Sequence, residues 1–228
     1  MSRWATFDCY GTLIDWNTGI GRVLEQLYGA EQAPTLLRRY HELEPEIQAE
    51  GYRTYNEVLA LTLERLANEV GYGIPEGEGG ALSHSLPDWP PYPEVPKVLE
   101  ELRRRRWSLA ILSNIDHALM IESEKRLGVP FDLIVTAEDV RSYKPAPGHW
   151  ERFFETTTAD KGRHVHVAAS AFHDVAPANA LGLIQTVFSP SALAGATSWK
   201  ALAPTWTWRS FAAVVVSKNR SQWPGSGL

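Results

Sequence analysis

"RWATFDCYGTLIDW", residues 3–16, runs from an apolar, strand-like stretch into a carboxylate, a tyrosine and a glycine turn. A short apolar run bounded by turn residues reads as a buried strand, here over 4–7. Asp8 stands where that strand stops. In an open parallel sheet, ligands bind outside the carboxyl ends of the strands, so a carboxylate in that place is a candidate for chemistry.

Similar apolar clusters at 107–112, 133–136, 165–169 and 184–188 predict four more strands. Helical patterns separate most of them. Val95, Val98, Leu99 and Leu102 recur at helical spacing, and "EKRLGVP" ends the next helix at Gly128 with Pro130 beyond. Such alternation predicts an α/β fold with a parallel sheet covered on both faces, because parallel neighbours need a crossover element. Residues 16–92 break the pattern and read as helices alone. Ile20, Val23, Leu24 and Leu27 end at Gly29, a polar helix covers about 34–49, and Leu59, Leu63, Leu66 and Val70 follow the capping box Thr54-x-x-Glu57. The predicted organisation is a Rossmann-like core over 1–15 and 93–228 with a helical cap inserted at 16–92. The tail "SQWPGSGL" reads as frayed, and Trp199, Trp206 and Trp208 as packing for the C-terminal segment.

Composition narrows the function. The chain has 228 residues, 44% of them hydrophobic, enough for a substantial core. A net charge of -5 without a basic stripe gives no footprint for nucleic acid or an anionic membrane, so small molecules are the expected partners. The basic run Arg103 to Arg106 closes a helical pattern and reads as a solvated helix end. A single cysteine, Cys9, excludes an intrachain disulfide and reads as packing. No stretch has the apolar length of a membrane span or the order of a signal peptide, which predicts a cytoplasmic protein.

Polar residues recur at the strand ends: Asp8 and Thr12 after the first, Ser113 and Asn114 after the second, Lys144 after the third, Ser170 and Asp174 after the fourth. The segments "DCYGTLID", "LSNID" and "YKPAPG" with the late Asp174 resemble, in order and spacing, the four motifs of the haloacid dehalogenase superfamily. "FDCYGTL" is most similar to its L-2-haloacid dehalogenase branch. The resemblance covers the chain to about residue 188, and the inserted helices look like that superfamily's cap.

The resemblance implies hydrolytic, metal-independent removal of halide from a short 2-haloacid through an ester on Asp8. Lys144 would hold Asp8 ionised and oriented, and Asp174 would position Lys144 or the hydrolytic water. Thr12 and Ser113 would hold carboxylate oxygens, and Asn114 would donate to the departing halide. Arg39 of the cap, with Arg38 as rival, would hold halide or substrate carboxylate, and Tyr10, Ser170 and Trp150 would complete the substrate site. No cofactor is implied, and a homodimer is compatible with the family.

Tyr10 distinguishes the readings. Most phosphatase branches have a second aspartate there, which protonates an alkoxide leaving group; halide leaves as a stable anion and needs no proton. A magnesium-dependent phosphatase, with Asp8, Asp174 and the Tyr10 carbonyl as oxygen ligands, is the alternative, and a catalytically quiet binding protein is a third. Three departures from the family pattern bear on this: Ala169 and Ala171 replace a serine and an asparagine, and Trp150 replaces a tyrosine. His173 is compatible with a general base or with a structural role, the latter favoured. His164 and His166 lack a third ligand at zinc spacing and read as flanking a buried strand. Tyr10, Trp16, Trp89 and Trp150 are expected near the mouth between cap and core.

Overall fold

The computed structural model describes residues 3–183 and 185–187. The outer residues of the last expected strand, the tail and Trp199, Trp206 and Trp208 lie outside the described residues.

Five parallel strands form one sheet in the order β3-β2-β1-β4-β5. They are β1 (Arg3–Phe7), β2 (Trp107–Ser113), β3 (Leu133–Thr136), β4 (His164–Ala168) and β5 (Gln185–Val187). β1 is central, with Phe7 facing Ile111 of β2 on one side and Val167 of β4 on the other. Chain order reverses at β1, so the crevice beyond its carboxyl end is the sheet's switch point. Strands covered on both faces are apolar throughout, and every residue of β4 is buried, including His164 and His166.

Between β1 and β2 the chain forms α1 (Trp16–Tyr28), α2 (Ala33–Ala49), α3 (Tyr55–Val70), α4 (Ala81–Ser85) and α5 (Val95–Arg104). Then come α6 (His117–Leu127), α7 (Ala137–Val140), α8 (Gly148–Thr156) and α9 (Ala176–Ala180). Local signals explain the helix ends. Asp15 accepts from Thr18 N to start α1, and Gly29 closes it. Thr54 and Glu57 form the expected reciprocal capping box of α3. Gly128 closes α6 in the left-handed conformation. Val70, expected on the apolar stripe of α3, is exposed in its last turn. Arg103 and Arg104 end α5 in exposed ion pairs with Asp132 and Glu101, the solvated arrangement expected of the basic run. No described helix is long and apolar enough to cross a membrane.

Helices α1–α3 are tied to the sheet at defined points. Asp116, in the loop after β2, accepts from Tyr55 N at 2.7 Å and Asn56 N at 2.8 Å. A core carboxylate thereby satisfies amides that the first turn of α3 leaves without intrahelical partners, at the positive end of its dipole. Tyr143 donates to Arg53 O at 2.9 Å. Trp89 packs so closely on Gly19 of α1 that a Cβ there would lie 2.3 Å from the indole. It also meets Tyr10 edge to face, ring centroids 5.9 Å apart.

Candidate active site

The site begins where β1 ends. Asp8 N continues the β1–β4 ladder by donating to Val167 O at 3.0 Å, and the chain then folds back on itself. Thr12, Leu13 and Ile14 all donate their amides to Cys9 O. Gly11 takes a positive φ of 84°, a conformation that favours glycine, and a Cβ there would lie 3.1 Å from the Trp16 indole nitrogen. This turn brings Thr12 back under Asp8. Thr12 Oγ1 donates to Asp8 Oδ2 at 2.7 Å and accepts from Ala169 N at 3.0 Å. The alanine in place of the family's serine thus contributes its backbone.

Lys144 is buried between two carboxylates. Its Nζ donates to Asp8 Oδ1 at 2.9 Å, Asp174 Oδ1 at 2.6 Å and Leu112 O at 2.8 Å. These three bonds use all the protons of an ammonium group. Burial alone would lower the Lys144 pKa, but Asp174 and Asp8 outweigh it and raise the pKa above its ordinary value, keeping the group charged. Burial would likewise raise Asp174, and Lys144 followed by His166 hold it below the usual carboxylate range. Asn114 fixes the lysine's backbone. Its Oδ1 accepts from Lys144 N at 2.7 Å and its Nδ2 donates to Lys144 O at 3.1 Å.

A buried polar chain absent from the sequence reading supports Asp174 from below. His166 Nε2 donates to Asp174 Oδ1 at 3.1 Å, and Thr6 Oγ1 lies 2.9 Å from His166 Nδ1 and 2.8 Å from His164 Nε2. Burial, with His166 beside it, lowers His164 to about 3, so it is neutral. The β1–β4 register, Thr6 opposite His166, creates this contact. The alternation of "HVHV" was its only trace in the sequence.

Above Asp8 opens a cleft of about 500 Å³. Tyr10, Ser113, Asn114, Ser170 and His173 line it with the charged triad, and Trp16 flanks it from α1. Tyr10 presents its ring, while its hydroxyl pairs with Ser123 Oγ at 2.7 Å. Burial pushes that phenol well above its ordinary pKa. Ser170 Oγ accepts from His173 N at 3.0 Å and lies 3.1 Å from His173 Nδ1, which holds this imidazole at the rim. Burial, then Lys144, lowers the His173 pKa. Cys9 is fully buried, as packing requires.

Three expectations need correction. Arg39 does not reach the cleft. It lies beside the buried stripe of α2 (Leu36, Tyr40, Leu43, Glu44, Ile47) and makes a two-pronged pair with Glu69 of α3, both bonds 2.7 Å, plus a 2.9 Å bond to Glu42. Arg38 is exposed and bonds Thr35 Oγ1. Trp150 is no part of the substrate site: with Phe153 it forms the inward face of α8 and packs edge to face on His166, centroids 5.4 Å apart. Trp89 is buried behind Tyr10 rather than at the mouth. In Arg39's expected place the cap contributes His41, Glu44 and Gln48 of α2, with Asn17 and Tyr55 beside them.

The sequence comparisons agree with this geometry. Residues 3–182 match the family described as haloacid dehalogenase-like hydrolase. The chain is 28% identical over 181 residues to haloacetate dehalogenase H-2 of Moraxella sp. (strain B), covering 77% of this chain and 80% of that protein. It is 27% identical over 171 residues to the (S)-2-haloacid dehalogenase of Pseudomonas sp. (strain YL), covering 73% and 74%. The L-2-haloacid dehalogenase from Xanthobacter autotrophicus, solved with chloropropionic acid covalently bound, shares the fold with a TM-score of 0.80 at 19% identity, over 96% of this chain and all of that one. With the motif residues gathered beyond the carboxyl ends of the strands and the match spanning residues 3–182, the chain belongs to the haloacid dehalogenase-like hydrolases.

Proposed function

We propose that the protein is a hydrolytic dehalogenase that removes halide from a short 2-haloacid through an aspartyl ester, without a metal. The observation that carries this reading is the pairing of Asp8 with a buried Lys144 next to a Tyr10 whose hydroxyl is engaged by Ser123. A phosphate ester would require a proton donor for its departing alkoxide, and this phenol, with its pKa raised, is a poor one.

In the first step an Asp8 carboxylate oxygen attacks C2 in line, a C–O bond forms, and the carbon–halogen bond breaks with its electron pair leaving on halide. In the second, water attacks the Asp8 acyl carbon, the acyl C–O bond breaks, and the 2-hydroxyacid leaves with one of the water's protons. The other proton is released, restoring the Asp8 carboxylate. Lys144 neutralises carboxylate charge in the resting site and polarises the ester carbonyl in the second step. Asp174 Oδ2 is buried with no hydrogen-bond partner among the described residues, and it supplies an acceptor for the attacking water. Asn114 retains a second amide N–H for halide.

Purified protein with chelator is tested for halide release from chloroacetate and 2-chloropropionate, and with magnesium for phosphate release from p-nitrophenyl phosphate. A single turnover in H₂¹⁸O places the label in Asp8, read by mass spectrometry of the peptide. Phosphate release alone, or full halide release by Asp8→Asn, rejects the proposal.

A further inference from the structure

The cap end of the cleft differs from its core end in charge and hydrogen-bonding capacity. Lys144 is the sole cation among the described lining residues, and its three protons are committed to Asp8, Asp174 and Leu112. Arg39 is engaged outside by Glu69 and Glu42. An anionic group on a substrate therefore finds no free cation at the cap end.

That end is rich in acceptors. Glu44 is 4% exposed, and its carboxyl is held by Gln48 Nε2 and the Tyr55 hydroxyl, both donating to it. An ionised carboxyl accepts about four hydrogen bonds and a protonated one keeps part of that capacity, so two donors leave acceptor sites in either state on a side chain that lines the cleft. His41 donates through Nε2 to Asn17 Oδ1 at 2.7 Å, which leaves Nδ1 as an acceptor on a neutral ring. Burial lowers His41 to about 4, consistent with that neutrality. The cleft volume of about 500 Å³ also exceeds what a haloacetate fills, since a water-sized molecule occupies roughly 30 Å³.

We propose that Glu44 and His41 form a second subsite that takes a hydrogen-bond donor, so that the preferred substrate is a 2-haloacid bearing a hydroxyl, amide or ammonium group away from the halogen. The carboxylate end stays at the core, beside Ser113 and Asn114, and the donor points to α2. This inference rests on the dehalogenase reading. A site built to satisfy buried acceptors discriminates strongly against an isostere that leaves them unpaired.

The test compares halide release from ω-hydroxy-2-chloroacids of three to six carbons with the isosteric 2-chloroalkanoates, in which methyl replaces hydroxyl. For at least one chain length, wild type is expected to favour the hydroxy compound by ten-fold or more in kcat/KM, chiefly through KM. In Glu44→Leu that ratio falls to one or below. The wild-type ratio stands without the variant should the latter fold poorly. Halide release that is equal or faster from every alkyl compound overturns the subsite and leaves the dehalogenase reading intact. No halide release from any compound, haloacetate included, overturns both.

Discussion

Replacing Lys144 by methionine removes the charge from the centre of the site and nearly preserves its volume. In the native protein the ammonium contacts Asp174 at 2.6 Å, where both side chains are 1% exposed, and Asp8 at 2.9 Å, whose side chain is 12% exposed and reaches the cleft. Water can solvate Asp8 from that side, so the cost of the substitution falls mainly on Asp174. Removing one partner of a buried pair costs about 3–5 kcal/mol, because the remaining charge is uncompensated. For a chain of this size that corresponds to a fall in Tm of roughly 6–20 °C.

The pH dependence carries the sharper signature. In wild type the Asp174 pKa is depressed, so its contribution is present above the unfolded value and is lost as pH falls through the folded one. In Lys144→Met, burial is no longer opposed by the lysine, and the Asp174 pKa moves up. The variant then gains stability relative to wild type as pH falls from 8 towards 5, a window in which the wild-type Asp174 contribution, lost only below the unfolded pKa of about 4, is flat. Urea unfolding of both proteins at pH 5 and 8 measures this. A deficit below about 1 kcal/mol at pH 8, or one equal at both pH values, refutes the account of Lys144 as the charge that makes a buried Asp174 tolerable.

Three other perturbations follow from the same structure. Burial pushes Glu44 up to about 7 from 4.5, so stability is full below the unfolded pKa and is lost as pH rises through 7; relative to wild type, Glu44→Gln should gain about 3 kcal/mol between pH 4 and 8 in urea titrations. Asp116→Ala removes two charge-assisted bonds to the start of α3 and should cost about 2–4 kcal/mol, with faster amide exchange at Tyr55 and Asn56; unchanged exchange there would show that the tie is dispensable. Gly19→Ala forces a Cβ to 2.3 Å from Trp89 and should lower stability by about 1–3 kcal/mol while shifting tryptophan fluorescence, whereas a fully stable variant would mean the indole moves without cost.

Some of this was readable along the chain because it is encoded locally. Asp8, Thr12, Lys144 and Asp174 each follow a strand, and the signals that placed those strands are short apolar runs bounded by turns. Capping at Thr54 and Glu57 and the glycines that close α1 and α6 involve residues a few positions apart, so their chemistry is visible in sequence. Arg39 shows the limit of that approach. The helix was readable, but which flank meets the cleft depends on how α2 leans on α1 and α3, and Glu69, thirty residues away, captures the guanidinium. Trp150 failed similarly: the family resemblance implied a place in the site, while the inward phase of α8 buries it against His166.

The sequence by itself determined an α/β sheet with helices inserted after the first strand, and a carboxylate at that strand's end, because periodicity and turn chemistry act over a few residues. Only the tertiary structure decided what surrounds that aspartate. Strand register set Thr6 against His166 and so joined β4 to Asp174; the fold of α2 put Glu44 and His41, not an arginine, over the cleft. Both outcomes depend on contacts between residues far apart in the chain, whose directions are settled when the elements pack.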